Sequence, residues 1–292
     1  MNPLGQLVEK WMAREPISVQ PDERLDIALA LMVSYRFRHL PIEDEGRLVG
    51  IVSLRDLYAA DLAEPSSSRG ERALHLRGIE ARQVMSSPVV TTTPAASLES
   101  ACELLLGRRI SCLPVIEEER LEGILTCTDL LPPAIALLDT EAQRGTLTAV
   151  SAIMTARPIA TIEADEHLDL ARSLMHAQRV RHLPVVEADH VVGILSDHDL
   201  LRAEISNLTP TAAAERLAAR RRVRVREMMA GHAATVESDS PAVDAARLLQ
   251  RRRFGALPVL SSGRLVGMLT VSDFLYYLLS YAPSNALRAA QR

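Results

Sequence analysis

Aromatic residues are only 3% of this 292-residue chain, and it contains three cysteines. Few aromatics leave little surface for stacking bases, which argues against a single-strand nucleic-acid binder. Cys102, Cys112 and Cys127 are too few, and odd in number, for a disulfide framework. They fit free thiols in a reducing compartment, so a cytoplasmic location is expected. Their spacing matches no zinc pattern, and they read as small apolar fillers. No apolar run approaches the roughly 20 residues that cross a bilayer. The start, "MNPLGQLVEKWMAREP", has no basic stretch leading into an apolar one, so no secretory signal is expected. Neither sign of charge dominates: 33 basic and 37 acidic residues give −4. The chain therefore does not announce a nucleic-acid partner. The run "RLAARRRVRVRE" (216–227) is strongly basic, but reads as a solvated helix leading into a repeat. Also missing are a Gly-rich phosphate loop with its Lys, a nucleophile elbow and a zinc pair on a helix. No catalytic role and no metal is expected. "SDHDL" (196–200) does not alter that, because Asp197, His198 and Asp199 point in different directions at a helix start, with His198 expected to be exposed.

What is present is repetition. "GIVSLRDL" (50–57) returns as "GILTCTDL" (123–130), "GILSDHDL" (193–200) and "GMLTVSDF" (267–274). A Leu-Pro pair precedes each copy, at Pro41, Pro114, Pro184 and Pro258, nine residues before the motif Gly each time. Upstream lie a Met (Met12, Met85, Met154, Met229) and, five residues before each Pro, an Arg (Arg36, Arg109, Arg179, Arg253). Four copies in one register mark an internal repeat. β-branched stretches such as "PVVTTT" predict a short first strand. An i, i+3, i+4 apolar stripe predicts a helix, with Asp22 and Ser240-Pro241 as start signals. "LPIEDEGRLVGIVS" predicts two strands around a turn, and a second helix begins near Ser53, Thr126, Ser196 and Thr270. Each unit of about 60 residues is too small to be comfortable alone, so units should pair. Sequential pairing is favoured because sequence neighbours usually pack together. Pro132-Pro133 should interrupt any helix between the pairs. The domains expected are 4–135 (repeats 4–62 and 79–135) and 148–282 (repeats 148–204 and 222–282), with a linker at 136–147 and a tail at 283–292.

Ser/Thr-x-x-Asp at a helix start has two readings. It is a capping box, with the hydroxyl and the carboxylate serving orphan backbone N–H groups. It also suits a nucleotide, with phosphate at the helix N-terminus and a ribose diol on the carboxylate. The motif Gly lets a ligand or another backbone approach closely. The residues alone leave both readings open.

The order Met, Pro, "RHLP", then Gly-apolar-apolar-[Ser/Thr]-x-x-Asp resembles the cystathionine β-synthase (CBS) domain family over roughly residues 4–282. The resemblance implies an α/β (α+β) fold of four β-α-β-β-α CBS units paired into two Bateman modules. It implies clefts that bind adenine nucleotides (AMP, ADP, ATP) or adenosyl compounds as regulatory ligands. The matching ligand residues are Ser53 and Asp56, Thr126 and Asp129, Ser196 and Asp199, and Thr270 and Asp273. The base pocket corresponds to Ile17, Val89, Ile159 and Ala233. Repeats one and three carry Arg38-His39 and Arg181-His182 before Leu-Pro, where repeats two and four carry Ser-Cys and Gly-Ala. Arg and His offer charge-assisted bonds to phosphate, so one strong phosphate site per module is expected. The function expected is a non-catalytic nucleotide sensor, with an unknown client protein and possible homodimerisation. Two alternatives stay open. One is an interaction protein with empty clefts; the other is a regulatory subunit docking on a separately encoded transporter or enzyme.

Overall fold

The protein is described by a computed structural model at residues 3–62, 76, 78–156, 158–200, 223–231 and 233–282. It is a mixed helix and sheet fold of four like units. Each unit centres on an antiparallel hairpin: His39–Asp44 with Arg47–Ser53, Cys112–Glu117 with Arg120–Thr126, His182–Glu187 with His190–Ser196, and Ala256–Ser261 with Arg264–Thr270. Each hairpin turns on two residues of positive φ: Glu45-Gly46, Glu118-Glu119, Ala188-Asp189 and Ser262-Gly263. That turn matches the right-handed twist of the strands it joins. The first helices are Leu25–Tyr35, Leu98–Gly107, Leu168–Gln178 and Ala242–Arg252. The second helices are Leu54–Leu62, Leu131–Gln143 and Val271–Leu279, with repeat three helical over 197–200. The first strand of each unit is no more than one or two residues long. Val19 bridges Ile42 and Thr92 bridges Val115, while Ile162–Glu163 and Val236–Glu237 run parallel to Val185-Val186 and Val259-Leu260.

The lead-in segment of each repeat is laid against a different repeat. Ala13–Arg14 pairs with the Arg120–Thr126 strand, Thr155–Ala156 with Arg264–Thr270, and Ala230–Gly231 with His190–Ser196. Ser86 bridges Ile51 in the same way. This exchange explains the spaced Met and Gly. Met12 fills the notch at Gly123, Met85 that at Gly50, Met154 that at Gly267 and Met229 that at Gly193. A Cβ on Gly123 would stand 2.7 Å from Met12 Sδ and 2.8 Å from the Ala13 carbonyl. Glycine is required there for close approach, by a thioether and the exchanged backbone.

Two helix starts differ from the sequence reading. The first helix begins at Leu25, not after Asp22, and the fourth repeat's begins at Ala242, with Pro241 outside it. Both preceding residues are held by the exchange, since Arg24 bridges Glu80 and Pro241 bridges Ala149. Pro132 and Pro133 open a helix rather than break one. They lie in the first turn of Leu131–Gln143, where a missing N–H costs nothing, and that helix runs into the segment read as linker.

The apolar residues form three clusters. Repeat one and repeat three each have their own. Repeats two and four share one, in which their four helices bury Phe274, Leu105, Leu249 and Leu278. Across that junction Arg247 donates to both Asp139 oxygens, at 2.6 and 2.8 Å. Tyr277 and Tyr281 both donate to Glu141. Burial, then Glu141, pushes the Tyr277 phenol up to about 12. Among the described residues no helix is long and apolar enough to cross a membrane.

Candidate functional site

All four Ser/Thr–Asp pairs close as caps. Ser53 donates its N–H (2.7 Å) and its hydroxyl (2.6 Å) to Asp56 Oδ2. Thr126 does the same to Asp129, at 2.7 Å for both bonds, and Ser196 to Asp199, at 2.9 and 2.6 Å. Thr270 reaches Asp273 at 2.6 and 2.7 Å. One carboxylate oxygen is thus committed to the fold each time. At Asp273 the other oxygen is engaged too, accepting from Thr155 Oγ1 at 3.1 Å, and the residue is 8% exposed. Burial raises the Asp129 and Asp273 pKa values, against the lowering pull of these hydrogen bonds. The caps of Asp56 and Asp199 are half-buried.

The Arg-His pairs converge. His39 Nε2 lies 2.9 Å from Ser111 Oγ of repeat two. His182 lies against Gly255 of repeat four, where a Cβ would stand 2.6 Å from its ring and 3.6 Å from Arg38 Nη1. Arg38 also reaches Asp197 of repeat three, at 3.8 Å. The strand starts of repeats one and three therefore meet at one centre. Burial holds His39 down at about 3, helped by the charges of Arg181, Arg38 and Arg55. Burial, then Arg38 and Arg181, holds His182 well below the usual histidine value. Both rings are neutral at neutral pH, so the positive charge at the centre comes from the arginines. Burial and Arg38 lower Arg181 as well, with Asp197 working in the opposite direction.

The residues matched to a base pocket sit in the first-strand segments: Ile17 is exposed, while Val89, Ile159 and Ala233 are half-buried. The three cysteines are buried free thiols, and burial pushes them up to about 12, 12 and 11. Of the basic run, 216–222 lies outside the described residues, whereas Arg224 and Arg226 pair with Asp165. His198 is not exposed as expected but half-buried, because the first turn of its helix faces repeat one. Sequence reasoning missed Arg55, Arg172 and the role of Asp197 at this centre. The signal was available, since Arg172 and Asp197 occupy repeat positions that are apolar in the other three copies.

Comparison with known proteins agrees with the repeat structure. A family model described as the CBS domain matches residues 8–63, 81–132, 150–206 and 225–280. A CBS domain-containing protein of Dictyostelium discoideum is 38% identical over 128 residues, covering 43% of this chain and 88% of the relative. Protein MJ1404 of Methanocaldococcus jannaschii is 28% identical over 284 residues, which is 94% of this chain but 62% of the relative. The crystal structure of protein MJ1225 from Methanocaldococcus jannaschii superposes with a TM-score of 0.81 at 22% identity, over 93% of this chain and 99% of the other. That likeness is one of fold.

Proposed function

The chain belongs to the CBS domain family, and on that footing we propose that it is a regulatory protein without catalytic chemistry of its own. Adenine nucleotides or adenosyl compounds bind in clefts between paired repeats, and the bound state is passed to a client protein. The pairs are 4–135 and 148–282. Ribose hydroxyls bond to Asp56 and Asp199, whose cap bonds fall on Oδ2 and leave Oδ1 to a ligand. Arg38-His39 and Arg181-His182 hold the phosphates, with the arginines carrying the charge.

The observation that supports this reading is the approach of Arg38 to Asp197, between repeats one and three. A phosphate held by Arg38 or Arg181 lies at a junction between the two pairs. Binding therefore bears on how the pairs pack, provided that the ligand favours one arrangement over another. A second reading, a scaffold with empty clefts, draws on Asp273, whose two oxygens are both occupied by protein.

Calorimetric titration of the full chain with AMP, ATP and S-adenosylmethionine tests the proposal. At least one should bind, and Asp56→Ala and Asp199→Ala should each weaken that binding about tenfold, as for a lost bond to a charged group. No binding by any compound favours the scaffold. Binding unchanged in both variants refutes the ribose assignment.

A further inference from the structure

Each lead-in segment carries a methionine, and its sulfur sits in a glycine notch of another repeat. A Cβ on Gly50, Gly193 or Gly267 would strike the sulfur of Met85, Met229 or Met154, and one on Gly123 would strike that of Met12. The thioether thus fills the space that any other residue's side chain would need. Four of the nine methionines in the chain are used in this one way. Each key also packs on an apolar cluster. Met12 and Met154 lie on the one shared by repeats two and four, Met85 on that of repeat one and Met229 on that of repeat three.

The four keys differ in access. Met12 is buried, as are Met32, Met175 and Met268. Met85, Met154 and Met229 are half-buried, so a small oxidant can reach them from solvent. Their notches suit a thioether and not its oxidised form. A Cβ on Gly267 would stand 3.1 Å from the Thr155 carbonyl, and one on Gly193 3.1 Å from the Ala230 carbonyl. The walls beside Met154 and Met229 therefore hold a backbone acceptor. A sulfoxide oxygen is also an acceptor, and with no donor between them two acceptors repel. The new group is polar as well, and burying it without a partner is costly. The cysteines compete poorly for oxidant, because burial pushes Cys102, Cys112 and Cys127 up to about 12, 12 and 11 and keeps them as thiols.

We propose that Met85, Met154 and Met229 are modification sites, oxidised to the sulfoxide by hydroperoxides, and that the sulfoxide withdraws its lead-in segment from the notch. With hydrogen peroxide, a sulfur lone pair attacks one peroxide oxygen. The S–O bond forms as the O–O bond breaks, and the sulfur is oxidised by two electrons. The second oxygen leaves as water, carrying both protons. Because Met12 is buried, repeats one and two lose one of their two keys, whereas repeats three and four lose both. Thr155 follows Met154 and donates to Asp273 at 3.1 Å, so withdrawal of that key also loosens this bond. The proposal does not depend on the adenosyl reading.

Limited hydrogen peroxide treatment of the full chain, read by peptide mass mapping and scanning calorimetry, is the test. An added oxygen should appear at Met85, Met154 and Met229 ahead of Met12, Met32, Met175 and Met268. The melting temperature should fall by about 5 °C or more. Methionine sulfoxide reductases should reverse both changes. Leucine is close in volume and has no sulfur, so a chain with Met85→Leu, Met154→Leu and Met229→Leu together should keep its melting temperature under the same dose. That variant retains Met228, which is half-buried but fills no glycine notch, and so separates the keys from surface oxidation in general. Each single leucine variant should lose part of the fall, which keeps the test decisive even if the triple variant folds poorly. The proposal is overturned if the three keys oxidise no sooner than the buried methionines. It is also overturned if the oxidised parent melts where the untreated one does, or if the leucine variants lose as much as the parent.

Discussion

Replacing Asp199 and Asp273 by alanine, one at a time, separates the folding role of the motif from its binding role. Asp199 accepts two hydrogen bonds, from the Ser196 N–H and hydroxyl. Its loss removes a helix cap, worth about 1–2 kcal/mol. Asp273 accepts the same two from Thr270 and a third from Thr155 across the pair, and it is buried. Its loss also removes that third, charge-assisted bond, adding about 1–2 kcal/mol and bringing the total to roughly 3. For a chain of this size each kcal/mol is about 2–4 °C in melting temperature. Asp199→Ala should therefore melt a few degrees low, and Asp273→Ala about twice as far below the parent. Ligand effects should run in the opposite order. At a hundredfold excess over Kd, AMP stabilises a single-site parent by about 2.7 kcal/mol. Asp199→Ala should lose much of that gain, while Asp273→Ala, whose carboxylate is already spent on protein, should keep it. Scanning calorimetry with and without AMP reads both orders. The reasoning is refuted if Asp199→Ala is the less stable variant, or if Asp273→Ala is the one that loses the AMP effect.

Gly123→Ala should be destabilising by about 1–3 kcal/mol, because the new methyl meets Met12 and a backbone carbonyl; a chemical denaturation midpoint equal to the parent's would contradict the exchanged packing. His39 binds protons less readily folded (about 3) than unfolded (about 6.5), so the unfolded state holds more protons between those values. Its contribution makes stability fall as pH drops from 6.5 towards 3, by up to about 1.4 kcal/mol per pH unit, and leaves it unaffected above 6.5. His39→Gln should flatten that slope between pH 5 and 6.5 in urea unfolding, and an unchanged slope would count against the neutral buried ring. Glu119→Gly should raise stability by up to about 1 kcal/mol, since Glu119 has φ 67° where repeats one and four already use Gly46 and Gly263; a lower melting temperature would contradict this.

The linear pattern determined a good deal. Period and punctuation identified four units with the right hairpins, and Ser/Thr-x-x-Asp located the second-helix cap in repeats one, three and four and, in repeat two, the cap of the short 3-10 turn Cys127–Leu130 that leads into the helix, because capping is a local interaction three residues long. Helix starts were missed by two residues at Leu25 and by one at Ala242, where a bridge to another repeat, rather than the nearest capping residue, decides where the helix begins. Pro132-Pro133 was legible as a boundary but ambiguous in direction, since proline both opens and ends helices.

Other features had no meaning until the chain closed. Met12 and Gly123 stand 111 residues apart, and their fixed spacing from the Leu-Pro pair says nothing of which Met fills which Gly. The Arg-His pairs were visible as chemistry, but burial beside other arginines is what leaves the histidines neutral and the charge on Arg38 and Arg181. Arg172 and Asp197 were visible as departures from the repeat, yet only tertiary packing brings them to one hollow junction while the same positions in repeats two and four fuse into a core. Local hydrogen bonding and periodicity act within a few residues of chain and can be read along it. Charge, burial and notch-filling depend on distances between remote segments, which only the folded arrangement sets.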